Sequence, residues 1–436
     1  MEKQAWESLQ APAFKNKTPG GPAMKISSVE LFHVEIPLPK PFYPTWIPGY
    51  PQTHNSFTLI RLTTKCGIEG WSAGAAMGHE RQGLGELIGG YLIGLDPEDI
   101  ETANQRLKEA SYLGWRNYWI EPAFWDILGK SKGKPVYELM GGTARPVEFY
   151  CSTGEMHEPE KRAEELLAIR EKGFKTAKMR LKNIKAEDDI RHVNEVMKRV
   201  GDKIRVSIDV NQGWLVTMLA DIPAWTLDRA TEFVKVCEDN GIAWLEEPLD
   251  SRDYDGLAEL RKRSGVTIAG AELNYGWNEV KVMIEKGSFD VYQPDSTFCG
   301  MADAKMIMDT CKKQGLGFSP HTWTNGIGLM INMNMWLADK DNNIPLEYPM
   351  ETPSWVPEAR DGILEQPVIP DREAMYQPPC EPGLGIKISP KKLKKYGERF
   401  FKLTEFGLKV KIVKEKGLKQ AIQMSKQQKQ RQKNKA

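Results

Sequence analysis

From residue 147 onward the chain repeats one unit seven times and closes on an eighth run: a short apolar run, an abrupt polar stop, then an amphipathic stretch. The runs are EFYCST, TAKMRL, IRVSID, IAWLE, VTIAGAE, FDVYQPD, LGFSPH and, less sharply, IPLEYP. β-Branched and apolar residues accumulate in them without alternation, as expected for strands buried on both faces of a parallel sheet. Between them lie PEKRAEELLAIREK, EDDIRHVNEVMKRV, LDRATEFVKVCEDN, YDGLAELRKR, NEVKVMIEK, ADAKMIMDTCKKQ and NGIGLMINMNMWLAD, which have helical character. Eight strands with seven intervening helices predict an α/β fold, a modified TIM barrel of the (β/α)7β kind.

The rest of the chain divides around this barrel. Residues 1–23 are polar and rich in proline and glycine and read as a flexible leader, so that Met24 is a second candidate start beside Met1. Residues 24–146 read as an α+β domain: strand-like KISSVELFHVEI, a hairpin of SFTLIRLTTK and IEGWSAG around Cys66-Gly67, then helices from Leu84 to Lys130. Residues 147–355 form the barrel, 356–400 a proline-rich segment, and 401–436 a basic tail expected to be disordered and solvated.

Bulk composition excludes several function classes. At 436 residues and a net charge of +1, there is no electrostatic case for nucleic acid or an anionic membrane as partner. No apolar run reaches spanning length and the N-terminus lacks a signal-peptide layout. The six cysteines are scattered without metal-finger spacing, which reads as reduced thiols and a cytoplasmic location. A small-molecule carboxylate substrate and a homo-oligomer are the expected partners.

Three carboxylates stand just past consecutive runs: Asp209 in RVSIDVNQ, Glu246 in IAWLEEP and Glu272 in TIAGAELN. One acid after a strand is most often a helix N-cap. Three at matching positions would repel one another at the mouth of a βα barrel unless a hard cation lay between them. Oxygen ligands without a Cys/His cluster point to Mg2+. Lys178 and Arg180 stand two apart, on one face of the second barrel strand. Asp295 and His321 end neighbouring strands, an arrangement in which an acid orients an imidazole as general base. Glu347 closes the ring from the eighth strand and, as a buried acid among acids, is expected to donate from its protonated form. The proline-rich stretch between the first two strands carries Tyr43, Trp46, Tyr50 and His54. It reads either as a packed surface loop or as a substrate-binding lid.

Taken together these residues resemble the enolase superfamily, specifically its mandelate racemase-like group, over about residues 24–396. The similar elements are Lys178-Met179-Arg180, Asp209-Val210-Asn211, Glu246-Glu247-Pro248, Gly270-Ala271-Glu272, Pro294-Asp295, Pro320-His321 and Glu347. The resemblance implies that the N-terminal domain, with C-terminal residues, caps the barrel. It also implies that Glu246 is the ligand, with Glu247 in a supporting role, and that Asn211 belongs to the site. Two departures stand out. Lys-x-Arg replaces the Lys-x-Lys of racemases, and arginine is a poor base. Gly-Ala-Glu replaces an immediate Gly-Glu, a change expected to be neutral.

The implied chemistry is removal of a proton α to a carboxylate. With His321 as the one evident base, the expected reaction is dehydration of a sugar acid to a 2-keto-3-deoxy acid. An epimerase, racemase or cycloisomerase on the same site stays open, as does a metal-dependent binding module that does not turn over.

Overall fold

The computed structural model describes residues 24–75, 83–114, 116–217 and 219–433. The leader expected over 1–23 lies outside them. The described chain opens with an antiparallel sheet of β1 (Ile26–Phe42), β2 (Gln52–Thr64) and β3 (Glu69–Ala75). Gly67 turns the β2–β3 hairpin at φ +89°, a conformation that suits glycine. Helices α1 (Leu84–Leu92), α2 (Ile100–Tyr112) and α3 (Glu121–Lys132) follow. Asp99 caps α2 by accepting from the Thr102 N–H, and α3 ends at left-handed Gly133. The sheet lies so close to α3 that a Cβ on Gly70 would stand 2.1 Å from the Ala123 carbonyl oxygen.

The barrel strands are β4 (Val147–Ser152), β5 (Thr176–Arg180), β6 (Arg205–Asp209), β7 (Trp244–Glu246), β8 (Thr267–Gly270), β9 (Val291–Tyr292), β10 (Gly317–Phe318) and β11 (Leu346–Pro349). They pair with one another in parallel, in the order β11-β4-β5-β6-β7-β8-β9-β10. No backbone ladder joins β10 to β11. Side chains bridge that seam instead: Ser319 Oγ donates to the Pro345 carbonyl at 2.9 Å, and Thr322 donates to Glu347 through its N–H at 2.7 Å. Helices α4 (Pro159–Glu171), α5 (Ala186–Val200), α6 (Leu227–Asp239), α7 (Tyr254–Arg263), α8 (Trp277–Lys286), α9 (Met301–Gln314) and α10 (Gly326–Ala338) connect the strands. This is the expected (β/α)7β arrangement. The first six carry one apolar stripe toward the sheet, but α10 is buried along its whole length. It packs between the barrel and β3, so its all-round apolar sequence meets partners on both sides.

The C-terminal stretch departs from the sequence reading in two ways. After the two-residue β12 (Met375–Tyr376), strand β13 (Gly397–Thr404) pairs antiparallel with β1, from Val34–Gly397 to Ser28–Thr404. The cap therefore takes its fourth strand from across the boundary drawn at 400. Beyond it, α11 (Glu405–Lys416) and α12 (Leu418–Lys433) are helical where disorder was expected. Lysine and glutamine are good helix formers, so a solvated composition does not forbid a helix. Thr404 starts the first by accepting from the Gly407 N–H.

Candidate active site

The carboxyl ends of β5 to β11 converge on one mouth. Asp209 and Glu246 are register partners on adjacent strands, and Glu272 lies two residues past the end of β8. All three are buried. Each meets a cation. Arg180 forms a close ion pair with Asp209, Lys178 one with Glu246, and His321 Nε2 stands 3.1 Å from Glu272 Oε2. Lys178 also lies 2.8 Å from Glu347 Oε1 and 3.8 Å from Asp209 Oδ2. The mouth thus gathers every catalytic and metal-binding residue singled out in the sequence. The donor set, three buried carboxylates with no sulfur, suits a hard divalent ion. The carboxylates are nevertheless turned onto their separate cations. Among the described residues, the set of three possible ligands with atoms within 4.8 Å of one another is His157, Glu165 and Glu351.

Backbone strain marks the same mouth. Four described non-glycine residues have positive φ: Asn211 (45°), Glu247 (49°), Ala271 (83°) and Ala374 (57°). Three of them flank Asp209, Glu246 and Glu272. Left-handed backbone costs roughly 1–3 kcal/mol per residue and persists only where the surroundings impose it. Ala271 is informative, because the Gly-Ala-Glu departure puts an alanine in a conformation that favours glycine. The change expected to be neutral is strained.

Electrostatics divide the acids. Burial pushes the Asp209 carboxyl up to about 7 against the pull of Arg180. Burial, then the charges of Glu272 and Asp209, pushes Glu247 well up. Burial would raise Glu246 as well, but the Lys178 ammonium more than offsets it and the net shift is downward. Glu347 goes the same way: desolvation raises it, and Lys178 and His321 pull it far below the carboxylate range. The expected protonated donor is therefore an ionised group, because it faces a buried ammonium. Arg180 stays charged.

The histidine–aspartate pair is formed. His321 Nδ1 lies 3.0 Å from Asp295 Oδ2, and Asp295 Oδ1 accepts from the Thr297 N–H at 2.7 Å and from Asn332 Nδ2 at 2.8 Å. Burial opposes the charged imidazole, but Glu272, Glu347 and Asp295 raise it to about 10. Asn332, on α10, escaped the sequence reading, since nothing in an apolar helix announces an asparagine aimed at a strand end. Lys182 also escaped it, although its parity with Lys178 and Arg180 was visible. It donates to the Asn211 carbonyl at 2.9 Å, and burial lowers it to about 8.

Of the four residues expected to bring this loop to the mouth, Trp46 reaches it and Tyr43, Tyr50 and His54 do not. Trp46 stands over Arg180, 5.3 Å from ring centre to guanidinium carbon, with Trp323 at 5.7 Å. Phe42 stacks on Trp323 and Trp355 completes the wall. Tyr43 and Tyr50 instead expose their side chains, each at 55%. His54 falls on β2, opposite Pro37, exposed and paired with Thr53. Asn211, expected to meet substrate, uses its side-chain oxygen to accept from Thr45 Oγ1 at 2.7 Å.

Beside the mouth, His157 bridges Glu155 and Glu165 at 2.8 Å each. Arg162 stands 3.1 Å from Glu165 and 3.2 Å from Glu351. Glu351 is also committed to the Gly154 and Glu155 N–H groups, so this cluster is an ion-pair network whose acid is already saturated.

Residues 30–141 match the mandelate racemase / muconate lactonizing enzyme N-terminal domain, and residues 161–392 the enolase C-terminal domain-like family. The chain is 27% identical to D-galactarolactone cycloisomerase of Agrobacterium fabrum over 84% of its own length and 97% of the relative's. It is 28% identical to arabinonate dehydratase of Saccharolobus solfataricus over 62% of its length and 68% of that protein's. A mandelate racemase/muconate lactonizing protein of Paracoccus denitrificans, solved in complex with magnesium, superposes with a TM-score of 0.72 at 20% identity, covering 86% of this chain and 98% of that one. No described helix is long and apolar enough to cross a membrane. A barrel whose strand ends carry this acid set, under an α+β cap matched in its own right, makes the chain a member of the enolase superfamily, of the mandelate racemase/muconate lactonizing enzyme type.

Proposed function

We propose that the protein is a hydro-lyase that removes the proton α to the carboxylate of a sugar acid and expels the β-hydroxyl. Asp209, Glu246 and Glu272 would hold Mg2+, which when bound would stabilise the doubly charged enediolate as a Lewis acid. Lys178, buried and held protonated between Glu246 and Glu347, places a fixed positive charge where that dianion develops. Arg180 adds a second charge that no working pH removes.

The observation that carries the reading is the His321–Asp295 contact. Asp295 accepts from Nδ1–H and fixes the tautomer, so Nε2 is the atom that takes the substrate proton. Nε2 can do so only from the neutral imidazole, which requires release of its contact with Glu272. The same imidazolium then returns the proton to the departing hydroxyl, and water leaves. The enol that remains becomes a 2-keto acid. A racemase needs a second base on the other face, and Arg180 does not supply one.

A second reading has its own observation. The indoles of Trp46 and Trp323 over Arg180 offer a flat apolar wall, which suits a ring-bearing acid and hence the cycloisomerase chemistry of the Agrobacterium fabrum relative. A panel of open-chain sugar acids and their lactones, incubated with Mg2+ in deuterium oxide, tests both. The dehydratase reading expects a 2-keto acid and recovered substrate of unchanged α-configuration. Inversion at the α-carbon without loss of water overturns it. Isomerisation confined to lactones replaces it with the second reading, and no α-exchange with any acid removes both.

A further inference from the structure

We infer that Thr45 is a positioning residue that makes docking of the cap loop and the geometry of the metal-ligand turn a single event. The inference rests on the metal site proposed above. The cap loop after β1 reaches the barrel by few polar contacts. Thr45 donates its N–H to the Gly154 carbonyl at 3.1 Å, and the Tyr43 N–H donates to Glu155 Oε1 at 2.9 Å. Both belong to the loop after β4. The third contact is of another kind. Thr45 Oγ1 lies 2.7 Å from Asn211 Oδ1, nearer than its 3.3 Å to the Gly154 carbonyl, so its one proton goes to the asparagine. Thr45 and Asn211 are both buried.

Asn211 is itself the hinge of the Asp209 turn. Its backbone is left-handed, its N–H donates to Asp209 Oδ1 at 2.8 Å, and its carbonyl accepts from Lys182. An asparagine held at its N–H, carbonyl and side chain cannot change conformation without moving the carboxylate it supports. Removing the Thr45 hydroxyl leaves one of these restraints unmade and a buried amide oxygen short of a donor. The cap loop therefore hydrogen-bonds the Asp209 turn through one hydroxyl, next to the Trp46 ring over Arg180. Coupling of this kind is reciprocal: what favours the docked loop favours the metal-competent turn, and the metal favours the docked loop by the same factor.

The test uses the full chain and Mg2+ alone, without substrate. Calorimetry measures Mg2+ affinity for wild type, Thr45→Val and Thr45→Ser, and amide hydrogen exchange follows residues 43–50 with and without the ion. Valine keeps the shape and should weaken Mg2+ binding about fivefold, the size of one buried hydrogen bond. Serine restores the hydroxyl and should stay within about twofold. Mg2+ should slow exchange in the wild-type loop and lose that effect in Thr45→Val. Wild-type affinity in a folded Thr45→Val, or loop exchange indifferent to Mg2+, overturns the coupling while leaving the metal site standing. Failure of wild type itself to bind Mg2+ would remove the metal site and this inference together.

Discussion

The barrel mouth and the His157 network are two ion clusters within one face of the same barrel, the first buried and the second partly so, and each sets a histidine between carboxylates. They differ in what the charges hold. In the network, Glu351 Oε2 accepts from the Gly154 and Glu155 N–H groups at 2.9 Å each while also meeting Arg162. Its acids are spent on backbone and on a permanent cation, and none of the positive-φ residues outside glycine lies within it. At the mouth, Lys178 and Arg180 face Asp209, Glu246 and Glu347, with Glu272 and Asp295 on the imidazole and strained backbone beside the three proposed ligands. Saturation marks the structural cluster. Strain and an excess of acid mark the chemical one.

That contrast breaks most sharply at His321. His321→Asn should lower α-proton exchange by about a thousandfold or more, the contribution of a general base, with the fold retained. Exchange within tenfold of wild type would end the role assigned to His321. At the network the expected cost moves from rate to stability. Glu351→Gln removes one of the two carboxylates that face buried Arg162 and should destabilise by about 2 kcal/mol, read as a lower urea midpoint. Its exchange rate, measured where the protein is still folded, should change far less. A variant as stable as wild type but slow in exchange would erase the distinction between the clusters.

A smaller effect separates them by pH. Burial opposes the His157 charge, but Glu155 and Glu165 raise the imidazole to about 9. A raised folded value means that this stabilisation is complete below about 6.5 and is lost as pH climbs through 9. Half-buried as it is, His157 should contribute about 1–2 kcal/mol over that window. Denaturant midpoints at both ends should therefore converge in His157→Gln relative to wild type, and an unaltered pH slope would count against this contribution of His157. The smallest expected change is at the mouth's strained backbone. Ala271→Gly relieves a φ of +83° and loses one buried methyl, for a net gain of about 0.5–1 kcal/mol. A loss of stability there would mean the turn is not strained.

Much of this is legible in the sequence. The unbroken apolar runs gave away a parallel barrel because burial on both faces leaves no polar position to alternate. The acids after them exposed the mouth, because strand ends in such a barrel must converge. The chain alone also showed that Arg180 is a poor base in any fold, since a guanidinium holds its proton. Tertiary structure decided the rest. Thr45 and Asn211 are 166 residues apart, and Asn332 is 37 from the aspartate it holds. Which aromatics of the cap loop turn inward, whether Glu347 keeps its proton, and whether a basic tail is coiled or helical all depend on neighbours supplied by remote segments. Local sequence sets which groups are available and roughly where along each strand they fall. Their charge state and contacts follow from desolvation and partners that only packing brings together.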